Sequence, residues 1–133
     1  MGKVLVITTS LRAKSNSDIL AGRLAAGARD AGHDVELVSL KGKDIRFCIG
    51  CLSCQKTQQC VLRDDAAAIA EKVKAADTLV FATPVYYYGM SGQMKTLLDR
   101  LNPLYPSDYR FRRAYLLTTA AEDEASVPER RMR

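Results

Sequence analysis

The sequence predicts an open α/β fold built on a mostly parallel sheet, and three observations carry that reading. Two runs, Lys3-Val4-Leu5-Val6-Ile7 and Thr78-Leu79-Val80-Phe81-Ala82-Thr83, are almost continuously apolar, as strands buried on both faces are. Segments with helical apolar spacing alternate with strand-like runs, which implies parallel pairing through crossover connections. The 133 residues suffice for a single domain, residues 1–133, and no repeat, low-complexity tract or linker divides them.

Each element then follows in order. Lys3 to Ile7 is the first strand. Ile19, Leu20, Leu24, Ala28 and Ala31 recur at helical spacing, and Gly32 supplies the stop. Val35-Glu36-Leu37-Val38-Ser39-Leu40 alternates as a half-buried strand at or near a sheet edge. A cysteine-bearing loop runs from Lys41 to Arg63. Asp64 or Asp65 caps a helix that carries Ile69, Ala70 and Val73 inward. Thr78 to Thr83 is the third strand, stopped by Pro84. Ser91 caps a helix from Gly92 to Leu101, which Asn102-Pro103 breaks. Ala114-Tyr115-Leu116-Leu117-Thr118-Thr119 is the fourth strand, and Pro128 reads as a later helix start.

Composition narrows the function. A hydrophobic share of 47% with 26% charged residues describes a soluble globular protein. No apolar stretch reaches membrane-spanning length and the N-terminal run is too short for a signal peptide, so a cytoplasmic protein without a membrane partner is expected. The net charge of +5 is scattered, with local excess at Arg110, Arg112, Arg113 and at Arg130, Arg131, Arg133. No nucleic-acid-binding motif accompanies it, so nucleic acid is not an expected partner. The charge describes a solvated surface that attracts a phosphorylated cofactor.

In an open α/β sheet ligands sit beyond the carboxyl ends of the strands. Three segments leave those ends: Thr9 to Ser17, Thr83 to Ser91, and Thr118 to Glu122. The first passes from a strand into a helix N-terminus, where free N–H groups and the helix dipole favour an anion. Its Ser10, Ser15 and Ser17 hydroxyls, the Asn16 amide and the Arg12 guanidinium are phosphate donors. The plainer alternative is a βα turn with Asn16 or Ser17 as N-cap. Neither GxGxxG nor GxxxxGK[ST] is present. In the second segment, Thr83-Pro84-Val85-Tyr86-Tyr87-Tyr88-Gly89-Met90, a buried loop with three tyrosines is suited to wall a flat aromatic ligand; aromatic packing at a subunit contact is the alternative.

Cys48, Cys51, Cys54 and Cys60, the only cysteines, form C-x2-C-x2-C-x5-C. Four thiols in one short loop without an export signal point to ligation or redox work. An iron-sulfur cluster, free or disulfide-linked thiols, and zinc all remain open, the spacing matching a zinc ribbon poorly. The loop follows the second strand and is expected near the same carboxyl edge. His33, the only histidine, sits beside a helix stop and reads as a surface residue, which leaves catalytic triads and histidine metal sites without support.

Ser10-Leu11-Arg12 with Ser15-Asn16-Ser17, Thr83-Pro84-Val85-Tyr86 and Gly89-Met90-Ser91-Gly92-Gln93-Met94-Lys95 together resemble the NADPH-dependent FMN reductases of the flavodoxin-like superfamily. The compact cysteine loop is similar to that of the iron-sulfur flavoproteins. This resemblance implies a doubly wound parallel sheet with FMN at its carboxyl edge. It assigns Ser10, Arg12, Ser15, Asn16 and Ser17 to the FMN phosphate. Pro84, Val85, Tyr86, Tyr87 and Gly89, following Thr83, would face the isoalloxazine, and Thr118, Thr119 and Ala120 would close its other side. It implies a four-iron cluster on the four cysteines as well.

The family continues through a fifth strand and a closing helix after the segment that ends at Thr119. Here the expected order is 2-1-3-4 with the fifth strand missing, so the chain reads as truncated or as covered at that edge by another subunit. Three functions follow. The first is an FMN-dependent NAD(P)H oxidoreductase acting on a small quinone, nitro, azo or flavin acceptor, as a homodimer or higher homo-oligomer. The second is an iron-sulfur flavoprotein electron carrier. The third is a cysteine-based metal or redox sensor without flavin.

Overall fold

The structure, a computed structural model, describes residues 2–121. The helix start expected at Pro128 lies outside the described residues.

Strand β1, Lys3–Thr8, is buried at every position after Lys3. Successive side chains of a strand point to opposite faces. Leu5 and Ile7 accordingly pack with Val38, Ile69, Val73, Leu79 and Leu97, while Val4 and Val6 pack with Ala21, Ala25, Val80 and Ala82. Coverage on both sides is why this run is continuously apolar. Strand β2, Asp34–Ser39, lies parallel to β1 on one flank, with Val4 opposite Val35 and Thr8 opposite Ser39. Strand β3, Thr78–Tyr86, lies parallel to it on the other flank, with Thr8 opposite Ala82. A two-residue strand β4, Gly89–Met90, folds back antiparallel on the tip of β3, and β5, Arg113–Thr119, runs parallel to β3. The parallel order β2-β1-β3-β5 is the expected 2-1-3-4 once the short β4 is counted.

Helix α1, Asn16–Asp30, covers the Val4 and Val6 face. A four-residue helix α2, Cys54–Thr57, lies inside the cysteine loop. Helices α3, Ala66–Ala75, and α4, Gly92–Asp99, with the short 3-10 turn Asn102–Leu104, cover the Leu5 and Ile7 face. The result is three layers, with the sheet between helices on both sides.

Three details depart from expectation. β3 does not stop at Pro84: it continues to Tyr86, with Pro84 opposite Thr119. The β1 ladder ends at Ala82, so beyond it β3 is bonded on one flank and a residue without an N–H is tolerated. In α1 the fully buried positions are Ser17, Ala21 and Ala25, whereas Ile19 and Leu20 are 54% and 41% exposed. Small residues let the helix lie close on the sheet, and the larger ones sit off that face. On β5, Tyr115 and Leu116 are 52% and 62% exposed, so this flank of the sheet is apolar and uncovered among the described residues.

Candidate functional site

The parallel register brings the three predicted segments to one edge. Thr8 is opposite Ala82, Thr83 opposite Thr118, and Pro84 opposite Thr119. Immediately beneath that edge lies a closed set of hydroxyls. The N–H and Oγ1 of Thr9 both donate to the Ala82 carbonyl at 3.0 Å, and Thr9 Oγ1 lies 3.3 Å from Ser91 Oγ. Ser91 Oγ lies 3.1 Å from Thr83 Oγ1, accepts from Met94 N–H at 3.3 Å as the cap of α4, and Ser91 N–H donates to Thr83 Oγ1 at 3.1 Å. All three residues are no more than 1% exposed. The network pins the ends of β1 and β3 to the start of α4. Thr83 therefore spends its hydroxyl inside the protein. Ser91→Ala is expected to lower the unfolding free energy by about 1–2 kcal/mol in urea titrations, a cap loss plus an unsatisfied neighbour; a change below about 0.5 kcal/mol would show that the network does not hold the edge together.

The β1–α1 turn is next to it. Ser15, and not Asn16 or Ser17, is the N-cap: its Oγ accepts from Asp18 N–H at 3.2 Å, because Ser15 is the last residue with extended backbone before the helix. Ser17 Oγ stands 3.2 Å from Ser15 Oγ, and Ser10 Oγ accepts from Arg12 N–H at 3.3 Å. Ser10, Ser15 and Ser17 are buried, Arg12 and Asn16 exposed. The first N–H groups of α1, at Asn16 and Ser17, point along the helix axis toward this turn without an intrahelical acceptor. Their dipole, the clustered hydroxyls and Arg12 fit an anion such as phosphate. One feature opposes it: Asp18 Oδ1 is buried without a hydrogen-bond partner.

The tyrosine segment is not the buried wall expected. Val85 pairs with Met90 and Tyr86 with Gly89, which leaves Tyr87 and Tyr88 as a two-residue hairpin turn with φ of 43° and 62°. Positive φ at both centres is the primed turn that matches strand twist, usually supplied by asparagine and glycine, so two tyrosines hold it under strain. Tyr86 is 50% and Tyr87 96% exposed. Pairing of the strands carries the tip beyond the sheet edge, where the rings of Tyr87 and Tyr88 tilt against each other at 5.8 Å. Pro84, Val85 and Thr119 are half-buried, Gly89 and Thr118 exposed.

The cysteine loop leaves the same edge, since Leu40 N–H donates to Thr8 O at 2.9 Å. A cavity of about 370 Å³ lined by Leu11, Ile45, Phe47 and Gly92 joins the loop to the β1–α1 turn and the start of α4. The four cysteines line one small cavity of about 20 Å³. None is in a disulfide; Cys48 and Cys51 are exposed, Cys54 and Cys60 largely covered. Every sulfur has a donor. Gly50 N–H reaches Cys48 Sγ and Leu62 N–H reaches Cys60 Sγ at 3.4 Å, and Asn102 Nδ2 reaches Cys54 Sγ at 3.6 Å. Ser53, through its N–H and its hydroxyl, draws the Cys51 thiol below the usual range. The Ser53 donors favour the thiolate of Cys51. Among the described residues no three Cys, His, Asp or Glu side chains converge as ligands of a single metal ion.

One functional element was not foreseen. Arg100, 2% exposed, follows α4 and forks onto Asp64, with Nη1 to Oδ2 at 2.7 Å and Nη2 to Oδ1 at 3.0 Å. Nη1 also donates to Arg46 O at 2.8 Å and Nη2 to Leu62 O at 3.4 Å. Asp64 accepts from Arg46 N–H at 2.9 Å and from Ala66 N–H at 3.1 Å, so it supplies a side-chain bond to the first N–H of α3, while Asp65 holds the N-cap position without a side-chain cap bond. Burial pushes the Asp64 carboxyl up, but Arg100 and those two N–H groups outweigh it and hold it below its usual range. The sequence did carry a sign of this: Arg100 falls three residues after Leu97, in line with the inward row of α4 just beyond its last residue, where a charge is out of place.

A family model described as NADPH-dependent FMN reductase matches residues 2–129. An iron-sulfur flavoprotein of Methanocaldococcus jannaschii is 36% identical over 102 residues, 77% of this chain and 53% of that protein. An iron-sulfur flavoprotein of Methanosarcina thermophila is 32% identical over 98 residues, 74% of this chain and 51% of that one. The chain thus spans about half the length of these curated relatives. Among solved structures, an NAD(P)H:quinone oxidoreductase from Methanothermobacter marburgensis superposes with a TM-score of 0.76 at 20% identity, covering 93% of this chain and 66% of that one, a likeness of fold.

Proposed function

Because the chain belongs to the NADPH-dependent FMN reductase family, with a flavodoxin-like fold, we propose that it works as an oxidoreductase carrying electrons from NAD(P)H through FMN to a small acceptor of quinone, nitro, azo or flavin type. The observation that carries this reading is the meeting of three strand ends at one edge, with a hydroxyl-lined helix N-terminus beside them. Ser10, Arg12, Ser15, Asn16 and Ser17 would hold the phosphate. Pro84, Val85, Tyr86, Tyr87 and Gly89 would flank one side of the ring, with Thr118 and Thr119 on the other. Bound FMN supplies the hydride and single-electron chemistry. The residues here bind and orient it, and backbone N–H groups near the ring stabilise negative charge without an acid–base side chain.

A homodimer and a cytoplasmic setting belong to the same proposal. No helix of the described residues is long and apolar enough to cross a membrane. The test is an absorption spectrum of anaerobically purified protein, followed by identification of the flavin released by acid. FMN release, with FMN-dependent oxidation of NAD(P)H, is the expected result; a colourless protein that refuses added FMN would overturn it.

A second reading is an iron-sulfur flavoprotein electron carrier, favoured by the N–H donor at every cysteine sulfur. The thiol set fits a cluster chemically. Its cavity of about 20 Å³ has room for little more than one water, so the loop must spread to admit one. A broad absorption shoulder bleached by dithionite, with iron retained through gel filtration, supports this reading; iron lost with every preparation sinks it.

A further inference from the structure

We propose that the cavity between the β1–α1 turn, the segment after β2 and the start of α4 is the acceptor pocket, and that it selects a small aromatic acceptor carrying an acidic group, a carboxylate or a sulfonate. The inference rests on the oxidoreductase reading above and narrows its acceptor.

The cavity, of about 370 Å³, has apolar walls of Leu11, Leu40, Ile45 and Phe47. It borders the strand edge at each side. Leu40, 3% exposed, sits beside the end of β1, where its N–H donates to Thr8 O at 2.9 Å. Leu11 stands between Ser10 and Arg12 in the β1–α1 turn, and Gly92, also on the lining, directly follows Ser91 of the hydroxyl network. Ligand pockets run from about 300 to 1,000 Å³, so this one admits a small ring system and not a whole dinucleotide. Phe47 is 78% exposed, and a flat ring laid against it leaves water and gains a stacking partner.

The polarity of the lining is one-sided. Lys43 is its only charged residue, no carboxylate lines it, and the Lys43 ammonium has no ion-pair partner among the described residues. Local structure fixes its place: Lys43 N–H donates to Leu40 O at 3.0 Å, closing a turn in which Gly42 takes a φ of 77°, a conformation that suits glycine. The turn holds the Lys43 backbone at the cavity while its side chain stays in solvent. The half-buried Gln93 amide adds a neutral donor. An anionic ring therefore gains Coulomb attraction on top of the apolar burial that its neutral analogue also receives. With a quinone, each turnover oxidises NAD(P)H and reduces the quinone to its hydroquinone. The hydride supplies both electrons and one proton by way of FMN, and solvent supplies the other proton.

The test compares wild type with Lys43→Gln, with Phe47→Ala and with Lys41→Gln, a neighbouring cation that does not line the cavity. FMN-loaded protein is assayed with a naphthoquinone sulfonate and with the neutral menadione. Binding of naphthalene sulfonate, which accepts no electrons, is measured by calorimetry and reads the cavity without turnover. Lys43→Gln should lower the ratio of kcat/KM for the sulfonate over menadione about tenfold at low salt, through KM, and raise the Kd of naphthalene sulfonate by about the same factor. At high salt the wild-type ratio should fall toward that of the variant, because the ammonium is exposed. Phe47→Ala should weaken naphthalene sulfonate about three- to tenfold, and Lys41→Gln should stay within about twofold of wild type. All three side chains are exposed, and thermal melting checks that each variant is folded.

Naphthalene sulfonate binding that neither Lys43→Gln nor Phe47→Ala alters puts the ligand elsewhere and overturns the proposal. So does wild-type protein that takes up FMN and reduces menadione but binds no naphthalene sulfonate. Protein that binds naphthalene sulfonate in this cavity yet refuses FMN overturns the oxidoreductase reading instead, and the acceptor role with it.

Discussion

Arg100→Leu is expected to lower the unfolding free energy by about 3–5 kcal/mol, the largest loss of any single substitution outside the apolar core. The side chains of Arg100 and Asp64 are 1% and 0% exposed. Removing the guanidinium leaves an interior carboxylate with only the half-exposed Arg46 guanidinium, 3.7 Å away, as countercharge, and strands the carbonyls of Arg46 and Leu62. Asp64→Leu should cost a similar amount, since it frees the N–H groups of Arg46 and Ala66 and a buried cation. The cost comes from breaking the pair, because a buried ion pair measured against well-packed apolar residues contributes little net stability. Acid should expose the same contact. The folded Asp64 carboxyl lies below its ordinary value of 3.8, so its contribution is fully present above about that pH and is lost as the pH falls through the lower folded value. Urea midpoints measured from pH 6 down to 2 should therefore decline most steeply below about pH 4, and Asp64→Asn should flatten that part of the curve. A wild-type profile unchanged by Asp64→Asn would show that another carboxylate governs acid stability.

That pair marks the limit of what the sequence disclosed. The strands were legible because their apolar runs respond to burial on two faces, a property each run carries locally. β1 and β3 read as central for this reason, and β2 as an edge from its alternation. Ser91 was legible as a cap from its position, but its bonds to Thr9 and Thr83 join segments eight and eighty-two residues away. Such partners leave no local pattern. Asp64 was likewise read as a cap, and its guanidinium partner lies 36 residues further on. The tyrosine segment misled for the opposite reason: its aromatic content suggests burial, yet Val85 and Tyr86 pair with Met90 and Gly89, and that register forces a two-residue turn on the least suitable residues. In α1 the spacing of large side chains pointed to Ile19 and Leu20, but close approach to the sheet selects for small size, and Ala21 and Ala25 took the inward row. The three loops of the candidate site came together as expected because parallel strands bring their carboxyl ends to one edge whatever the loops contain.

Arg12→Ala is expected to weaken FMN binding about ten- to hundredfold while leaving riboflavin binding unchanged. A charge-assisted hydrogen bond to a phosphate is worth about 1.5–3 kcal/mol, and riboflavin has no phosphate to lose it. Arg12 is exposed and its side chain has no ion-pair partner among the described residues, so its removal should leave stability within about 0.5 kcal/mol of wild type. That separates it from Ser15, whose hydroxyl also caps α1. Ser15→Ala should cost about 1 kcal/mol of stability as well as affinity. The two together should prevent FMN from surviving gel filtration, with little change in the fold. The effect of Arg12 should also shrink as salt rises, because an exposed guanidinium is screened, whereas that of the buried Ser15 hydroxyl should persist. The comparison of two flavins is what gives the experiment its force. If FMN and riboflavin weaken equally in Arg12→Ala, the arginine touches the ring or shapes the loop, and the β1–α1 turn is a capped helix start without a phosphate. If only FMN weakens, the anion site is located at the N-terminus of α1, and the direction of the bound flavin across the strand ends, from this turn toward Pro84 and Thr119, follows from it.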